Sequence, residues 1–104
     1  MIRHIVMWKL KEKAEGATKR KNAEKLKLIL EGLKISIDEI NNVEVGIQID
    51  ESDSDQRFDV VLICDFKNEL DFEMYRRSPH HQKAVKFINS VVDERYFVDY
   101  RVDI

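Results

Sequence analysis

Hydrophobic and polar positions alternate along residues 2–10, IRHIVMWKL, with Ile2, His4, Val6, Trp8 and Leu10 on one side and Arg3, Ile5, Met7 and Lys9 on the other. Side chains of an extended chain point alternately to two faces, so this pattern predicts a first strand. After a polar connection around Gly16, the period lengthens. From residue 18 to about 34, Ala23, Leu26, Ile29, Leu30 and Leu33 recur at helical spacing between lysines and glutamates, which predicts an amphipathic helix. Alternation returns at Val43, Val45, Ile47 and Ile49, a second strand with one wet face. The acidic run at 51–56, ESDSDQ, has no apolar anchor and predicts a loop. A third strand over 58–66 places Phe58, Val60, Leu62, Cys64 and Phe66 on one face and Val61 and Ile63 on the other, so both of its faces want burial.

Asn68 then offers a side-chain oxygen to cap a short helix carrying Leu70, Phe72, Met74 and Tyr75. Ser78-Pro79 signals a second helix start at once, with Ser as N-cap and Pro at the first helical position, where its missing N–H costs nothing. That helix runs to about Ser90, with His81, Ala84, Val85, Ile88 and Val92 on its inward stripe. A last strand over 96–104 sets Tyr96, Val98, Tyr100, Val102 and Ile104 against Phe97, Asp99, Arg101 and Asp103. The order strand, helix, strand, strand, split helix, strand predicts an α+β fold of ferredoxin-like type: a four-stranded antiparallel sheet with helices on one face. Ile5, Met7, Val61, Ile63 and Phe97 are then expected on the helix-free face. An apolar sheet face left in water is unusual for a monomer, so a homodimer with the two sheets face to face is expected.

At 104 residues the chain makes one domain, residues 1–104. Hydrophobic residues at 43% exclude disorder. Eighteen basic against twenty acidic side chains give a net charge of −2, which leaves no general attraction to nucleic acid or an anionic membrane. No apolar run approaches membrane-spanning length and no secretory leader pattern opens the chain. The lone Cys64 cannot form an internal disulfide, and a cytoplasmic location is expected.

Two histidines attract attention. His4 lies in mid-strand on an apolar face, where desolvation favours its neutral form. It is either a core residue satisfied by a backbone carbonyl or a base in a dry pocket. His81 falls at the third position of the last helix, where the helix dipole also disfavours a proton. If the helices cover the His4 face, the two converge in apolar surroundings. Tyr75 is either packing or a hydrogen-bond donor to a developing enolate. His80 points elsewhere, and no carboxylate stands at metal-ligand spacing from either of the adjacent histidines, so neither metal nor cofactor is expected.

The opening MIRHIVMWKL, the DVVLICDF strand at 59–66, the YRRSPHH segment at 75–81 and the closing FVDY at 97–100 together resemble the stress-responsive A/B-barrel (Dabb) domains, the dimeric α+β barrels, over essentially the whole chain. Ser78 stands where the family's Y-x-x-H-P-x-H motif has its first histidine. The resemblance implies a homodimer with a cleft between sheet and helices in each subunit. In a plant polyketide cyclase of the family such a cleft performs an aldol condensation with two histidines and a tyrosine, at positions similar to His4, His81 and Tyr75. Asp99 matches the aspartate of the closing motif and would orient a pocket group, and Trp8, on the His4 face, would either fill the cleft or line it beside a ligand. Two functions stay open: a stress-related or small-ligand-binding dimer, and a cyclase- or lyase-like enzyme acting on a small carbonyl compound.

Overall fold

The computed structural model describes residues 1–50 and 55–102. Its elements are β1 (Ile2–Leu10), β2 (Lys13–Ala14), β3 (Ala17–Thr18), α1 (Lys19–Ser36), β4 (Ile40–Ile47), β5 (Val60–Phe66), α2 (Glu69–Arg77), α3 (Pro79–Val91) and β6 (Val92–Arg101). The four long strands form one antiparallel sheet in the order β4-β5-β1-β6, with the helices on one face, the ferredoxin-like α+β arrangement. Ile2, Val6, Trp8 and Leu10 of β1 are buried beneath the helices, as are Val60, Leu62, Cys64 and Phe66 of β5. Leu26 from α1, Phe66 and Val91 are wholly without exposure and mark the centre of this core. Cys64 is part of it, and burial pushes its thiol up to about 12, which leaves it unreactive. No helix among the described residues is long and apolar enough to cross a membrane.

Local chemistry accounts for the element ends. Thr18 caps α1 by accepting from Lys21 N–H at 3.3 Å, and Asn68 caps α2 by accepting from Asp71 N–H at 2.8 Å. Ser78 closes α2 and opens α3, its hydroxyl accepting from His80 N–H at 3.2 Å with Pro79 next in line. The connection around Gly16 is itself a hairpin, β2 against β3, turned by Glu15 and Gly16 at φ of 52° and 70°. Positive φ at both central residues is the turn geometry that matches strand twist.

Several expectations are corrected. β4 begins at Ile40 and ends at Ile47; Ile40 is buried, whereas Ile49 lies past the strand and is 95% exposed. β5 starts at Val60, and Phe58 does not join its inward row. The Phe58 ring instead contacts Tyr96 (5.5 Å between centroids) and lies under the Lys9 ammonium, on the helix-free side. Val92 belongs to β6 and not to the stripe of α3, and β6 starts four residues earlier than the alternation suggested. Residues 51–54 of the expected loop, with Asp103 and Ile104 of the last strand, lie outside the described residues.

The most consequential correction concerns the faces of β6. Phe97 is in register with Val6 and Asp99 with His4, so Arg95, Phe97 and Asp99 face the helix side. Tyr96, Val98 and Tyr100 take the other side, where the rows Val98-Ile5-Ile63 and Tyr96-Met7-Val61 run across three strands. Tyr96 and Val98 are more than half exposed there.

Candidate functional site

The sequence-singled residues His4, Tyr75, His81 and Asp99 meet where the helix layer stops short of the β6 edge. β1 contributes His4 from the sheet floor. Tyr75 comes from the last turn of α2 and His81 from the first turn of α3, and the helix break at Ser78 turns the two rings toward each other, 4.3 Å between centroids. The His4 ring lies 6.1 Å from Tyr75 and 5.2 Å from Phe72. Tyr75 and Phe72 pack in turn on Phe66, at 4.9 and 5.1 Å, which anchors this aromatic wall in the core.

His4 is not satisfied by a backbone carbonyl. Its Nδ1 pairs with Asp99 Oδ1, and the other carboxylate oxygen, Oδ2, accepts from Arg76 Nη2 at 3.2 Å. The Arg76 guanidinium stacks over Phe72 at 4.2 Å from the ring centre. A carboxylate can only accept, so His4 carries its proton on Nδ1 and presents a bare Nε2 lone pair. His81 Nδ1 faces the Arg76 carbonyl at 3.3 Å, which fixes the same tautomer. That carbonyl, left without a helical partner near the end of α2, also accepts from Gln82 Nε2 at 2.8 Å.

Electrostatics keep both imidazoles neutral. Burial lowers the proton affinity of His4 and outweighs the Asp99 carboxylate, which raises it; Arg95 and Arg76 lower it further. Burial also lowers that of His81, against its bond to the Arg76 carbonyl and assisted by His4, Arg95 and Arg76. Burial holds the Tyr75 phenol protonated well above its ordinary range. The arrangement is thus two proton acceptors and one hydrogen-bond donor in a poorly hydrated place, with an acid to orient one base. Among the described residues no three His, Cys, Asp or Glu side chains gather to hold a metal.

Trp8 is separate. It stands four positions along β1 from His4, about 13 Å at 3.3 Å per residue, is 2% exposed, and makes no ring contact with the cluster. The ring that lies against His4 is Phe72, which sequence reasoning missed together with Arg76 and Arg95. Helical spacing held the signal for the first two: Phe72 and Arg76 flank Tyr75 at three and one residues on α2, and are four apart. A hollow of about 980 Å³ opens at the other end of β1. Several of its charges pair with one another, Lys9 with Glu94, Lys19 with Glu12 and Asp59, and Arg57 with Asp50.

A ferredoxin-like subunit with a histidine–tyrosine cluster between sheet and helices defines the class. The profile of the stress responsive A/B barrel domain (Dabb) matches residues 2–102, and the chain belongs to that family. Among solved structures it is similar to a dimeric protein of unknown function with a ferredoxin-like fold from Bacteroides fragilis, at 25% identity and TM-score 0.79, covering 97% of this chain and 95% of that one. A dimeric ferredoxin-like protein of unknown function from Thermobifida fusca is similar at 23% identity and TM-score 0.80, covering 97% and 90%. The hydroxynitrile lyase from Passiflora edulis shares the fold at 16% identity and TM-score 0.77, covering 98% and 93%. A search of the curated proteins finds no match.

Proposed function

We propose that the chain works as a homodimer that binds a small carbonyl compound between sheet and helices and moves a proton on it, a cyclase- or lyase-like reaction. The observation that carries this reading is the Asp99–His4 pair. An acid-oriented neutral imidazole with a free Nε2, next to a phenol and a second neutral imidazole, is the equipment for removing a proton beside a carbonyl and holding the resulting enolate. His4 is the base, Tyr75 donates to the carbonyl oxygen, and His81 returns or relays the proton. The scaffold tolerates catalysis, since a hydroxynitrile lyase has the same fold. The pairing of subunits is supported by the apolar rows on the helix-free face and by the dimeric similar structures. Ile63→Lys on that face should give monomer or aggregate in sedimentation, because it carries a charge into the apolar rows that the second subunit would cover.

A second reading, a non-catalytic stress-related dimer, is favoured by the low exposure of His4, 7%, and by its having a hydrogen-bond partner already. Exchange of α-protons in D₂O, followed by NMR over a panel of small ketones, aldehydes and keto acids, separates the two. The enzymatic reading expects exchange above the buffer rate with at least one class, lowered about 10²-fold by His4→Asn and by Tyr75→Phe. Exchange at the buffer rate throughout, with the signals of His4 and His81 unmoved by every compound, makes the histidines structural.

A further inference from the structure

On the helix-facing side of β6 the residues Arg95, Phe97 and Asp99 succeed one another and form the open edge of the cluster. The chain has seven arginines. Arg3, Arg20, Arg57, Arg76, Arg77 and Arg101 each hold a carboxylate. Among the described residues Arg95 holds none. Its guanidinium rests 4.5 Å over the ring of Phe97, itself 57% exposed, and its charge is felt by His4, Tyr75 and His81 alike. Arg76, the other cation at the cluster, is already balanced by Asp99 and Glu73. In register with Arg95 stands Trp8, whose Nε1–H is buried and has no acceptor. The Trp8 donor lies in the core, away from the two histidines, whereas Arg95 is an exposed cation without a counterion on the open edge of the cluster, where an anionic oxygen would give it a charge-assisted partner.

We propose that the cleft selects a carbonyl compound bearing a carboxylate, a small keto acid, and that Arg95 sets this preference by pairing with the carboxylate. The proposal rests on the reading of the cluster as a carbonyl site. Its consequence for the chemistry is that the base strengthens as the substrate arrives. The free protein keeps His4 and His81 poor in protons through burial and the fields of Arg95 and Arg76, with Asp99 pulling His4 the other way. A carboxylate on Arg95 cancels the unbalanced part of that field and raises the proton affinity of both rings. The proton on the α-carbon then passes to His4 Nε2, and the C–H electron pair moves into the enolate, whose oxygen accepts from Tyr75. The exposed Phe97 ring leaves room for a flat or apolar substituent beside the carboxylate.

The test compares phenylpyruvate with its uncharged methyl ester, by NMR of the histidine side chains in wild type, Arg95→Gln and Arg95→Lys. Wild type is expected to bind the acid at least tenfold more tightly than the ester, with the His4 and His81 titrations moving to higher pH on binding. Arg95→Gln should lose that tenfold for the acid alone, and Arg95→Lys should keep most of it. Without ligand, Arg95→Gln should also move both titrations upward. Equal binding of acid and ester at the histidines overturns the keto-acid proposal and leaves the carbonyl reading standing. Titrations of His4 and His81 unchanged by Arg95→Gln likewise overturn it, because Arg95 then does not reach the cleft. If neither compound disturbs the histidines, the proposal and the reading beneath it fall together.

Discussion

Arg3 and His4 are neighbours on β1 that face opposite sides of the sheet, and each meets an aspartate from a different adjoining strand. On the helix-free side Arg3 donates to both oxygens of Asp65, at 2.8 and 3.1 Å, across to β5. On the helix side His4 donates to Asp99, across to β6. The acid is the same, and the outcome differs because of the base. A guanidinium stays charged at every accessible pH, and Asp65 raises the pKa of Arg3 further, so the proton of that pair stays on Arg3. The imidazole is pulled down by burial and up by its carboxylate, and burial wins. One pair is a clamp between strands; the other holds a proton that a change in surroundings can relocate.

The contrast can be broken most severely at the clamp. Asp65→Ala is expected to cost about 2–3 kcal/mol, because a buried carboxylate with two charged hydrogen bonds is removed, and urea unfolding would read it. A loss below 0.5 kcal/mol would mean, on that same scale, that the pair adds nothing to the fold. The next effect comes from pH. His4 and His81 both bind protons less readily folded than unfolded, so below the unfolded value of about 6.5 the unfolded chain holds more protons and stability falls. The melting temperature should be level above about pH 7 and decline as pH drops through the window below 6.5. His4→Asn should make the decline shallower, whereas a wild-type curve that rises over this range contradicts the burial described here. Asp99→Asn should cost under about 1 kcal/mol, since one partly exposed neutral hydrogen bond replaces a charged one. Its signature lies in the His4 titration, which should move to still lower pH. Arg76→Gln sharpens the distinction with the smallest change: by removing a cation it should move His4 the opposite way, upward, with little change in unfolding. Shifts of the same sign in the two variants would show that Asp99 and Arg76 do not oppose each other at His4.

The sequence revealed the sheet and the helix starts well, because side-chain period and capping residues are local. Thr18, Asn68, Ser78 and Pro79 announced their roles within a few residues of themselves. It misled at β6. Alternation identifies two faces without saying which is covered, and on an edge strand nearly every residue is exposed, so hydrophobicity could not tell the side of Phe97 from that of Tyr96. Phe58 and Ile49 were misjudged for a related reason, since an apolar residue beyond a strand end is free to turn to either side. The cluster was legible as types and partly as places, for His4, Tyr75 and His81 each sit on an inward position of their own element. The His4–Asp99 bond was not. The residues are 95 apart in the chain and meet only because β6 adds beside β1, which is a fact of strand order.

Tyr75 and His81 face each other because one serine both ends a helix and begins the next. The six-residue step between them is therefore a ruler and not a spacer. Each residue added to or taken from either helical turn would swing one ring about 100° around its axis, out of reach of its mate, while leaving composition, caps and hydrophobic pattern nearly as they were. Descendants of this chain can exchange Arg77 and His80 freely, since of the letters between Tyr75 and His81 only these neither touch the cluster nor set the helix break. Insertions and deletions there should be rare.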